Sequence, residues 1–65
     1  MKKYYSVLEA SKKMNISFAL AKSFVQYVFT NQYIFRVFKV DNIYLIDKTS
    51  FNEFIELNDY FKYNL

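Results

Sequence analysis

Apolar side chains recur along this chain with two different periods, and the change of period divides it into elements. Val7, Leu8, Ala10 and Met14 fall on one stripe at helical spacing, with Lys12 and Lys13 outside it. Ser6 and Glu9 stand ahead of that stripe at the spacing of a capping box. In such a box the serine oxygen accepts the third helical amide and the carboxylate accepts the amide of the cap. Together these features predict a helix over 7–14. Asn15 suits a left-handed stop where glycine is not used. Ile16 reads as a buried turn residue and Ser17 as the N-cap of a second helix. That helix runs from Phe18 to about Thr30, with Ala21, Phe24, Val25 and Val28 on one face and Thr30-Asn31-Gln32 at its end.

From Ile34 the pattern turns to β-branched and aromatic residues. Ile34 to Val40 reads as a strand, Asp41-Asn42 as a two-residue hairpin turn, and Ile43 to Ile46 as the returning strand. That turn sets Val40 against Ile43 and Phe38 against Leu45 on one face, and Lys39 against Tyr44 on the other. Asp47 and Ser50 can each cap a last helix, and Ser50 with Glu53 repeats the capping-box spacing. Its inner stripe is Phe51, Phe54, Ile55, Leu57, Asn58 and Phe61. The tail from Lys62 to Leu65 is expected to fray. The order helix, short turn, helix, hairpin, helix predicts an α+β fold: one winged helix-turn-helix domain over residues 1–65, with a two-stranded hairpin wing and a C-terminal helix.

A chain of 65 residues buries only about 60% of its unfolded surface, so its core must be dense. A hydrophobic content of 54%, with 23% aromatic, supplies that density and argues against disorder. Gly and Pro are both absent, so every turn falls to Asn, Asp, Ser or Thr. Without cysteine there is no disulfide framework or thiolate metal site, and without histidine the commonest general base and metal ligand are missing. The six carboxylates are scattered, so no metal or other cofactor is expected. Asp47 and Glu53 are accounted for by capping, and Asp41, Glu56 and Asp59 form no converging pair. An enzyme is not expected. No apolar run approaches the ~20 residues of a membrane span. The basic start Met1-Lys2-Lys3 is not followed by the apolar segment of a signal peptide, so a cytoplasmic protein without membrane contact is expected. The formal charge of +3 fits a polyanion partner without requiring one.

The run Tyr5-Ser6-Val7-Leu8-Glu9-Ala10-Ser11-Lys12-Lys13-Met14-Asn15-Ile16-Ser17 resembles the opening of excisionases and related MerR-like small DNA-binding domains. Val40-Asp41-Asn42-Ile43-Tyr44-Leu45-Ile46, followed by Asp47 to Ile55, resembles the wing and closing helix of the same family. The resemblance covers about residues 5–57. It implies a DNA-binding protein that bends double-stranded DNA near the ends of a mobile element such as a phage and helps an integrase or recombinase excise it, or that regulates transcription. The second helix would enter the major groove and the wing would touch backbone or minor groove. Members of the family usually carry several basic residues on the second helix; here it offers Lys22 alone.

On this reading Lys22, Ser23, Gln26 and Tyr27 face the major groove: Gln can pair with adenine, and Ser or Lys can hold a phosphate. Lys12 and Lys13, with Lys2 and Lys3, would contact flanking phosphates. Arg36, Lys39 and Asn42 belong to the wing. The competing reading for each is a solvated surface. Phe18 and Leu20 either point outward, toward thymine methyls or a protein partner, or lie beneath the connection to the hairpin. Tyr33, Tyr44 and Tyr63 are candidates for base stacking, with core packing the commoner role. The alternative function is a phage- or plasmid-type module on the same fold that docks on a host protein through Phe18, Leu20 and Tyr27. A homodimer is compatible with either.

Overall fold

Short polar side chains set the starts of the helices. The computed structural model describes residues 3–32 and 34–57. Its elements are β1 (Tyr4–Tyr5), α1 (Val7–Met14), α2 (Phe18–Asn31), β2 (Val37–Val40), β3 (Ile43–Asp47) and α3 (Lys48–Leu57). At α1 the capping box closes: Glu9 N–H donates to Ser6 Oγ at 3.1 Å and Ser6 N–H to Glu9 Oε1 at 2.9 Å. The same helix ends on Asn15 at φ 58°, whose N–H donates to the Lys12 carbonyl, while Ile16 N–H donates to the Ser11 carbonyl at 3.0 Å. This is a Schellman closure made without glycine. After the three-residue turn Asn15–Ser17, the Ser17 side chain accepts Leu20 N–H at 3.2 Å and opens α2.

The strands form one antiparallel sheet in the order β1-β3-β2. The hairpin pairs Val40 with Ile43, Phe38 with Leu45 and Lys39 with Tyr44, the register that the sequence predicts. Asp41 and Asn42 take φ 49° and 66°, the pair of left-handed residues that a type I′ turn requires. The third strand is an addition to the predicted hairpin: Tyr4 pairs with Asp47 and Tyr5 with Ile46. Two residues are too few to show a period, which is why β1 is not legible in the pattern. The described residues thus form a small α+β fold of three helices and a three-stranded antiparallel sheet.

Packing corrects four further expectations. The run from Ile34 is not extended throughout. Ile34 sits at φ 79° and the strand begins at Val37. A positive φ is strained for a β-branched residue. On α1, Leu8 is exposed and Ser11 is buried instead, its Oγ donating to the Leu8 carbonyl at 2.6 Å. Asp47, not Ser50, caps α3: Ser50 N–H donates to Asp47 Oδ2 at 2.9 Å. Ser50 lies inside the helix, and its Oγ accepts Arg36 N–H at 3.0 Å, tying α3 to the chain entering β2. Leu57 is 87% exposed and does not continue the inner stripe. Asn58, Phe61 and the tail lie outside the described residues.

The core is Ala10 and Met14 from α1, Ala21, Val25 and Val28 from α2, Val37, Tyr44 and Ile46 from the sheet, Phe51 from α3, and Phe35 from the segment before β2. Phe35 and Phe51 meet edge to face at 5.0 Å, with Phe24 and Phe54 against Phe35 at 5.9 and 5.3 Å. Offset and edge-to-face aromatic pairs of this kind add to the stabilisation that area burial supplies. Among the described residues no helix is long and apolar enough to cross a membrane.

Candidate nucleic-acid interface

With Ala21, Val25 and Val28 fully buried, the opposite side of α2 carries Ala19, Ser23, Gln26 and Thr30 at spacings of four, three and four, all exposed. The other candidates on this helix divide between its flanks. Leu20 and Tyr27, seven residues apart, lie on one flank, and Phe18 and Lys22, four apart, on the other. Phe18, Leu20 and Tyr27 are 49%, 59% and 54% exposed, so the connection to the hairpin does not cover them. Among the described residues α2 bears no carboxylate, and its single charge is Lys22.

The hairpin candidates separate in a similar way. Asn42 stands at the tip beside Asp41. The Lys39 ammonium lies 5.5 Å from the centre of the Tyr44 ring, on the helix side of the sheet. Tyr44 is buried, with Phe29 edge-on at 5.6 Å. That removes it as a stacking platform for a base, and Tyr33 and Tyr63 lie outside the described residues. Arg36 is at the opposite end of β2 from the tip. Its carbonyl accepts Asp47 N–H at 3.0 Å.

Asp47 sits among donors. The Ser50 backbone N–H holds its carboxyl below the usual carboxylate range, helped by the Ser50 hydroxyl and the charge of Arg36 and opposed by partial burial. It is therefore a structural cap that also offsets Arg36, rather than a proton carrier.

Lys12 and Lys13 end α1, far along the chain from the hairpin but close to α3 in space. The Lys13 ammonium lies 5.1 Å from the centre of the Tyr5 ring. Lys48, at the start of α3, places a second ammonium 5.0 Å from the same centre. Sequence pattern gives no hint of that meeting, because the three residues come from three elements. Lys3 adjoins them, its carbonyl accepting Lys48 N–H at 3.1 Å. Lys3, Lys13 and Lys48 thus gather at the base of the sheet, with the carboxylates of Glu9 and Asp47 close by, while the hairpin tip carries Asp41.

A further surface lies on the sheet itself. On the sheet face away from the helices, Tyr4, Phe38, Val40, Ile43 and Leu45 form an apolar layer, with Tyr4 edge-on to Phe38 at 5.8 Å. Among the described residues no three His, Cys, Asp or Glu side chains converge in a way that would hold a metal ion. Comparisons of the chain with protein-family models, with curated proteins and with solved structures give no match.

Proposed function

We propose that this protein binds double-stranded DNA as a small winged helix-turn-helix protein of the excisionase type, serving recombination or transcription of a mobile element rather than catalysis. The observation that carries the reading is the outer side of α2. It follows α1 after a three-residue turn, it is not covered by the chain's own hairpin, and it offers Ser23 and Gln26 with no carboxylate on the helix to repel phosphate. In this reading α2 enters the major groove. Gln26 and Ser23 meet base edges or phosphates, Lys22 neutralises a phosphate from its flank, and Tyr27 covers the groove wall. The β2–β3 hairpin serves as the wing, with Lys39 and Asn42 nearest the duplex. An integrase or recombinase bound to the same DNA is the natural partner of such a protein.

The test is anisotropy of a labelled duplex titrated with the full chain, over about 50 to 200 mM salt. A logarithmic loss of affinity with salt is expected, steep enough to require several phosphate contacts. Lys22→Ala with Gln26→Ala weakens binding about 10-fold or more, by analogy with the ~1–3 kcal/mol of a single base contact. Absence of any binding at the lowest salt refutes the reading.

Exposure of Phe18, Leu20 and Tyr27 favours a second reading, in which α2 docks on a protein of the host. A variant Leu20→Asp separates the two. Loss of partner capture with duplex binding intact supports docking; loss of neither excludes this face from it.

A further inference from the structure

We infer that the base of the sheet is a second anchoring site for a phosphodiester backbone, built by Lys13 and Lys48 on the ring of Tyr5. The inference rests on the DNA-binding reading above and adds to it residues that lie on neither the outer side of α2 nor the wing tip.

Each ammonium lies about 5 Å from one ring centre, so the two cannot be farther apart than about 10 Å. That is one Debye length at ~0.1 M salt, so the pair acts on an approaching anion as a unit. An aromatic ring attracts a cation through its quadrupole but does not neutralise it. The ring thus gathers two cations at one point without itself cancelling either charge. The ring also holds the two long side chains near a fixed point, which lowers the ordering cost that a free surface lysine meets on binding a phosphate.

Tyr5 is itself fixed. Its ring stands edge-on to the buried Phe51 at 5.7 Å, and its hydroxyl donates to Asn52 Oδ1 at 3.1 Å. The carboxylates of Glu9 and Asp47 stand nearby and accept the amides of Ser6 and Ser50, each at 2.9 Å. Glu56 shares a shallow depression with Lys12 and Lys13 and tempers the charge on that side. Lys3 adds a cation on the other. The surface is open and uses ammonium point charges rather than a guanidinium fork. It suits a polymer backbone crossing it, with no geometry for reading a planar group.

The experiment uses the full chain and a labelled duplex about two helical turns long. Wild type, Lys13→Gln with Lys48→Gln, and Lys13→Arg with Lys48→Arg are compared across about 50 to 200 mM salt. The Gln pair is expected to lower the slope of log affinity against log salt by about two, which shrinks the loss of affinity over that range about tenfold. The Arg pair is expected to keep the wild-type slope, which a purely structural role of the two side chains would not explain. If the Gln pair does not fold by circular dichroism, Lys48→Gln alone is expected to lower the slope by about one. Should the wild type bind while the neutral variants retain its slope, the second anchor is overturned and DNA binding stands. Should the wild type bind no duplex, both fall together. Equal competition by polyglutamate at matched charge would overturn the phosphodiester assignment in favour of an acidic protein.

Discussion

On the inner face of the sheet Val37, Tyr44 and Ile46 are almost wholly buried; on the outer face Phe38, Val40 and Ile43 remain 46%, 53% and 60% exposed. The two faces alternate along the same strands and carry similarly apolar residues. What separates them is the supply of covering elements. Among the described residues the three helices lie against one side of the sheet. Alternation of apolar and polar residues, the usual mark of a half-buried strand, is absent from the hairpin because both faces are apolar. Burial here therefore reflects topology more than hydrophobicity.

The largest expected difference between the faces is at Phe51 and Phe38. Phe51→Ala removes a fully buried ring in contact with Tyr5, Phe35 and Phe54. It should cost about 3–5 kcal/mol, much of the stability of a domain this size, and abolish a cooperative thermal transition by circular dichroism. Next comes the strained residue before β2. Ile34→Gly relieves a positive φ and is expected to gain about 1 kcal/mol in urea unfolding. A loss instead would mean that the Ile34 side chain contributes more than its backbone costs.

Asp47→Ala removes the cap of α3 and should lose about 1 kcal/mol. The same residue sets a pH dependence. Its folded pKa is depressed, so its contribution is fully present above the ordinary carboxylate range and is lost as pH falls through the folded value. Wild type should therefore lose more stability than Asp47→Asn on acidification below about pH 4. The smallest effect is expected at Phe38→Ser on the outer face. It should change stability by under about 1 kcal/mol, because much of this side chain is already in water. A cost as large as that of Phe51→Ala would mean the outer face is covered in solution.

The comparison also shows what the sequence makes legible. Helix starts were readable wherever a local rule acts: Ser6 with Glu9, Asn15, Ser17 and Asp47 each do their work within four residues of themselves. The hairpin register was readable because a two-residue turn fixes it. Long-range relations were not. Tyr4 and Tyr5 become a strand only because β3 lies beside them. Ser50 is drawn from capping to bridging by Arg36, fourteen residues away. Leu8 and Leu57 look like core in the pattern and are exposed, because among the described residues no element packs over them. The same limit applies to the candidate interface. The outer side of α2 follows from helical period, whereas Lys13, Lys48 and Tyr5 meet only through the fold.

The central claim is that nucleic acid meets the outer side of α2. It is tested most directly by a ¹H–¹⁵N NMR titration of the full chain with duplex DNA at low salt. The account predicts shifts concentrated at Lys22, Ser23, Gln26 and Tyr27, with a second set at Lys13 and Lys48. Shifts confined to Phe38, Val40 and Ile43, or none at all, would contradict it.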